Sequence, residues 1–76
     1  MVINLKIIKI IQMKRTNIVV RRAILNITQK ELANKVNLSR QSIHLIETGQ
    51  VDPKLSIAAR IARFFGMKIE ELFNDD

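Results

Sequence analysis

Few residues in this chain could carry out covalent chemistry. His44 is the single histidine and cysteine is absent, which removes His–His metal pairs, disulfides, thiolate zinc sites and cysteine nucleophiles. His44 has no adjacent nucleophile or metal partner that would make it catalytic. Glu70 and Glu71 are neighbouring carboxylates, but at the start of a helical segment they read as complements to the helix dipole, not as an acid–base pair. Binding chemistry is what remains. There are 13 Lys+Arg against 7 Asp+Glu, a net charge of +6. Residues 1–40 hold nine basic residues and the single acid Glu31, whereas residues 41–76 hold four basic and six acidic ones. A positive front half on a neutral-to-acidic rear is what a polyanion-binding face would produce, with a solvated lysine-rich surface as the alternative. The aromatic residues are Phe64, Phe65 and Phe73, too few for the stacking platforms that hold single-stranded nucleic acid.

The elements that must position these side chains fit one small domain. A chain of 76 residues buries only about 60% of its unfolded surface and has no room for a catalytic domain beside a binding domain. Hydrophobic residues make up 47%, which favours a folded globule over a disordered tail. Met1–Gln12 reads MVINLKIIKIIQ. It is too short and too interrupted by Lys6 and Lys9 to span a bilayer, which takes about 20 apolar residues, and it lacks a signal-peptide cleavage site. Ile3, Leu5 and Ile7 alternate with Asn4 and Lys6, a strand-like period, although a short helix also fits the isoleucines that follow. The preferred reading is a strand that pairs across a homodimer, because an unpaired one invites aggregation. Met13 is also a plausible start for a complete domain, which would make residues 1–12 dispensable.

From Asn17 onward the period becomes helical. Ile18, Val19, Arg22 and Leu25 are spaced for a first helix that ends near Asn26. Thr28 and Glu31 form a capping box for a second helix over about Gln29–Val36, with Asn37 able to take the left-handed turn after it. Ser39 is a natural N-cap for a third helix with Ile43 and Ile46 inward and Gly49 as the stop. Asp52-Pro53 predicts a cap and first position for a fourth helix, whose inner face is Leu55, Ala58, Ile61, Ala62 and Phe65, ending at Gly66. Ile57 and Phe64 lie off that stripe, as peripheral core or, preferred, as a dimer surface. Ile69, Leu72 and Phe73 form the apolar side of a short fifth helix. The expected architecture is all-α, with residues 1–16 an extension, 17–73 the folded domain and 74–76 an acidic tail.

Gln29–Ile46 is the informative stretch. Two short helices joined by a three-residue turn require apolar side chains at Leu32, Val36, Leu38, Ile43 and Ile46, a small residue at the crossing, Ala33, and a left-handed turn at Asn37; all are present. That is helix-turn-helix geometry, in which the second helix enters the DNA major groove with its N-terminal residues on base edges. TQKELANKVNLSRQSIHLIETG resembles the Cro/phage-repressor (Xre-type) helix-turn-helix family, and the resemblance runs from about Asn17 to Phe73 through Arg22, Thr28-Gln29, Glu31-Leu32-Ala33, Ser39-Arg40-Gln41-Ser42-Ile43, Ile46-Glu47-x-Gly49, Asp52-Pro53 and Ile69-Glu70-Glu71-Leu72-Phe73. Asn37 stands in place of the family's usual glycine, and Lys68 in place of a usual capping serine.

The resemblance implies a compact five-helix, lambda-repressor-like DNA-binding domain and a role for each matching residue. Arg40, Gln41, His44 and Leu45 would project from a recognition helix over residues 39–48 toward base edges. Arginine suits guanine O6/N7, glutamine suits adenine N6/N7, and leucine suits a thymine methyl. Gln29 would contact a phosphate, as would Ser39, Ser42, Thr48 and Gln50. Arg22 and Glu47 match a charged pair that fixes the recognition helix on the first helix. The implied function is sequence-specific binding of a palindromic double-stranded operator by a homodimeric transcriptional regulator, a repressor acting in the cytoplasm. No enzyme activity, cofactor, metal or membrane is expected. The alternative is an antitoxin-type or adaptor module whose main partner is a protein, with DNA binding secondary.

Overall fold

The structure, a computed structural model, describes residues 16–73, and these form five helices with no strand among them. They are α1 (Thr16–Leu25), α2 (Gln29–Lys35), α3 (Arg40–Glu47), α4 (Leu55–Phe65) and α5 (Ile69–Phe73). Thr16 already belongs to α1, one residue before the expected domain start. The strand expected within Met1–Gln12 and the acidic tail lie outside the described residues.

Local sequence accounts for most helix starts. Thr28 Oγ1 accepts from the Glu31 amide at 3.0 Å while Glu31 Oε1 accepts from the Thr28 amide at 3.1 Å, a complete capping box. Ser39 Oγ accepts from the Ser42 amide at 3.0 Å and caps α3. At α5, where Lys68 replaces the capping serine, Glu71 reaches back to accept from the Lys68 amide at 3.2 Å, so half of a capping box is kept. The fourth start differs from expectation. Asp52 does not cap α4 and Pro53 is not its first residue. The first amides, of Ile57 and Ala58, converge on the carbonyl of Lys54 at 3.0 and 2.9 Å, so the helix begins at Leu55, without a side-chain cap. A cap is defined by the carbonyl those amides reach. Pro53 instead stays half-buried in the lead-in, beside Leu38, Leu45 and Ile57.

Four helices stop the same way. Asn26, Asn37, Gly49 and Gly66 all adopt positive φ, at 55, 58, 76 and 67°. After each, the next residue's amide reaches back five positions: Ile27 to Arg22, Leu38 to Ala33, Gln50 to Leu45 and Met67 to Ala62. This is the Schellman arrangement, which satisfies carbonyls left open at a helix end. Arg60 adds to it by donating from Nη1 to the Val36 carbonyl at 3.0 Å.

The core is built from Ile18, Leu32, Ala33, Val36, Ile43, Ile46, Ile61, Ala62 and Leu72. Ile57 and Phe64 pack against it from the edge and stay half-buried, and the Phe64 and Phe65 rings meet edge to face at 5.1 Å. Leu55, expected on the inner stripe of α4, is 74% exposed. It sits at the first position, beyond the reach of the neighbouring helices. Val19 and Leu25 are exposed as well, so buried Ile18 and half-buried Arg22 lead the inner side of α1. Asn17 Nδ2 ties α1 to α5 by donating to the Glu71 carbonyl at 3.0 Å.

Candidate nucleic-acid interface

The α2–turn–α3 unit rests on one charged cluster. Glu47, at the last position of α3, is the one buried charged residue among those described. Arg22 from α1 grips it with two donors, Nε to Oε2 at 2.6 Å and Nη2 to Oε1 at 3.0 Å, and places its third, Nη1, on the Ile27 carbonyl at 3.1 Å. Gln29 Nε2, at the first position of α2, donates to Glu47 Oε1 at 3.0 Å. One carboxylate therefore locks three helices together. A paired guanidinium–carboxylate contact is both strong and directional, and burial makes losing either partner costly.

The opposite side of α3 is turned outward. Successive helical residues rotate by about 100°, so Arg40, His44, Gln41 and Leu45 share one arc of about 140°, away from buried Ile43 and Ile46. Arg40 and Gln41 are exposed and make no side-chain hydrogen bond among the described residues. His44 and Leu45 are half-buried. Leu45 borders an apolar depression of about 390 Å³ between α3 and the start of α4, which Leu38, Val51, Pro53 and Ile57 also line.

A second depression, of about 590 Å³, joins the end of α1 to the starts of α2 and α3. Arg22, Asn26, Thr28, Gln29, Lys30 and Arg40 all line it, so residues far apart in sequence meet on one basic surface. Lys30 and Asn26 were not singled out as site residues from the sequence. Lys30 entered only the charge count, although its place beside Gln29 at a helix start was a usable signal. Nothing local marks Asn26.

Several expected phosphate ligands have other work. Gln29 spends one amide hydrogen on Glu47 and keeps the other. Ser39 and Ser42 share a bond between hydroxyl oxygens at 2.9 Å, which uses one of their two hydroxyl hydrogens. Thr48 directs its only hydroxyl hydrogen back to the His44 and Leu45 carbonyls, at 2.9 and 3.3 Å, and accepts from Gln50 Nε2 at 2.8 Å. In this arrangement Thr48 offers no donor outward, whereas Gln50, fixed by that bond, retains one amide hydrogen. Among the described residues no cluster of three or more His, Asp or Glu could hold a metal ion. No described helix is long and apolar enough to cross a membrane.

Comparison with known proteins agrees with this geometry. A helix-turn-helix family model matches residues 20–72. The uncharacterized HTH-type transcriptional regulator MJ0272 of Methanocaldococcus jannaschii is 54% identical over 52 residues, covering 68% of this chain and 79% of that protein. An uncharacterized HTH-type transcriptional regulator of Archaeoglobus fulgidus is 46% identical over 59 residues, covering 78% of this chain and 83% of its own. The cryptic phage CTXphi transcriptional repressor RstR of Vibrio cholerae is 32% identical over 50 residues, covering 66% of this chain and 45% of its own. No solved structure gives a significant match. With the family match spanning α1 to α5 and its relatives regulators by name, the chain belongs to the Xre/Cro-type helix-turn-helix family of DNA-binding transcriptional regulators.

Proposed function

We propose that the protein binds a palindromic double-stranded operator as a homodimer and represses transcription from it in the cytoplasm, with α3 of each copy in the major groove. The observation that carries this reading is the pair Arg40 and Gln41, exposed and unengaged at the start of a helix whose far end is held by the Glu47 cluster. Arg40 reads guanine and Gln41 reads adenine through paired hydrogen bonds. His44 and the exposed edge of Leu45 extend the contact along the groove. Gln29, Ser39, Ser42 and Gln50 donate to phosphates with the hydrogens they have left, and Lys30 adds charge beside them. Thr48 acts through Gln50, which it holds in place. Phosphate contacts fix register while base contacts supply specificity. The repressor reading draws on RstR, a repressor by name, and on the fact that repression requires only occupancy of the site.

Selection of bound duplexes from a random pool tests the proposal. Enrichment of a palindrome with half-site centres about 10–10.5 bp apart, bound by two chains, is the expected result. A one-to-one complex on a single half-site at saturating protein would overturn the dimer, and a pool with no enrichment would overturn sequence-specific binding in favour of a protein-directed module.

A further inference from the structure

The turn that hands α2 on to α3 is held from outside that helix pair. Arg60, half-buried on α4, donates from Nη1 to the carbonyl of Val36 at 3.0 Å, across 24 residues of chain. Among the described residues it is the one side chain of α4 that makes a hydrogen bond. Val36 closes α2 and is 1% exposed, and its carbonyl directly precedes Asn37, whose φ is 58°. A helix end leaves its last carbonyls without partners inside the helix, and a cation placed there also complements the helix dipole. Beside this bond, Ile57 of α4 and Leu38, the residue after Asn37, line the same apolar depression. Helix α4 therefore bounds the chain on both sides of Asn37, with a polar tie before it and an apolar neighbour after it.

We infer that Arg60 is a positioning residue for base reading: by holding the Val36 carbonyl it fixes the angle at which α3 leaves the turn, and with it the place of Arg40 and Gln41. The left-handed conformation of Asn37 is one that a residue with a Cβ resists, so the turn depends on neighbours that keep it there. The far end of α3 is pinned through Glu47 by Arg22 and Gln29. Freedom in the turn would therefore swing the near end, where the two reading side chains stand. A binding constellation must be held to within about 0.5 Å and 10–20° of its productive geometry, by groups behind the ones that touch the ligand. The inference rests on the base reading assigned to Arg40 and adds the residue that aims it.

Two variants of the full chain test it. Arg60→Met keeps an apolar stem and loses the donor, whereas Arg60→Lys keeps a charged donor on a flexible stem. In the free protein, residual dipolar couplings of the backbone amides should show α3 tilted against α1 by more than about 10° in Arg60→Met, and returned toward the wild-type angle in Arg60→Lys. On DNA, the quantity read is the preference for the selected duplex over the same duplex with one Arg40-read guanine replaced. Arg60→Met should reduce that preference by about two- to tenfold, the range that one lost hydrogen bond corresponds to, and Arg60→Lys should restore most of it. The slope of log affinity against log salt should stay unchanged. A lower Tm with undiminished preference well below Tm would overturn the inference, since it is what a purely structural role produces. So would equal weakening on both duplexes with the salt slope lowered by about one unit, the mark of a phosphate clamp. If the wild-type chain itself prefers no duplex, base reading by Arg40 fails, and the couplings still decide whether Arg60 holds the turn: identical couplings in all three proteins overturn that as well.

Discussion

The two ends of α3 are built on opposite terms. At its C-terminal end both carboxylate oxygens of Glu47 accept hydrogen bonds from Arg22 or Gln29, and the residue is 5% exposed. At its N-terminal end, Arg40 and Gln41 are exposed with no side-chain partner among the described residues. One helix thus holds a cluster whose hydrogen bonds are committed to the fold and a pair whose hydrogen bonds are left for a ligand. The contrast separates holding from reading: substitutions at one end should move stability, and substitutions at the other should move specificity.

The largest expected effect breaks the holding end. Arg22→Ala strands the buried carboxylate and should cost about 3–5 kcal/mol. For a domain of this size that lowers Tm by about 4–8 °C per kcal/mol in a calorimetric scan. Lys35→Ala, on an exposed position, should stay within about 0.5 kcal/mol. Adding Glu47→Leu to Arg22→Ala should recover much of the loss, because an apolar replacement of a buried pair removes the stranded charge. Equal melting temperatures for Arg22→Ala and Lys35→Ala would erase the contrast from its structural side.

At the reading end, Arg40→Ala should leave the unfolding free energy within about 0.5 kcal/mol yet weaken binding to the selected duplex by about 1–3 kcal/mol. Binding to scrambled duplex should change by little more than one lost charge. If both duplexes weaken equally, Arg40 is a phosphate clamp and base reading passes to Gln41, His44 and Leu45.

A smaller effect concerns the turn that joins the two helices. Asn37 sits at a φ of 58°, a conformation that costs an ordinary L-residue about 1–2 kcal/mol. Asn37→Ala should therefore lose about that much in denaturant unfolding, and Asn37→Gly should lose none of it. The smallest effect sharpens the basic surface shared by α1, α2 and α3. Lys30→Ala should lower the slope of log affinity against log salt by about one unit, equally for selected and scrambled duplexes.

The legible parts of this fold are the local ones. Thr28 with Glu31, Ser39 and Asn37 each act within a few residues, so their chemistry can be read from adjacent positions. Helix α4 shows where that reading ends: Asp52-Pro53 has the composition of a helix start, but the first amides reach Lys54 instead. Periodicity placed Leu55 on the apolar stripe of α4 without telling how far the neighbouring helices extend along it. In the site, Arg22 and Glu47 were expected as a pair through the family resemblance, and the structure joins them. The Gln29–Glu47 bond spans 18 residues, and Thr48's inward hydroxyl depends on the local path of α3. Both are products of tertiary packing that residue type alone does not encode.

Methylation interference on the selected duplex tests the central claim most directly. Dimethyl sulfate modifies guanine at N7, in the major groove, and adenine at N3, in the minor groove. If α3 reads the major groove through Arg40, duplexes methylated at guanine N7 should be depleted from the bound fraction in two clusters centred about 10–10.5 bp apart, while adenine N3 methylation between them has no effect. Interference from adenine N3 alone, or tight binding that no guanine methylation disturbs, would contradict recognition by α3 in the major groove.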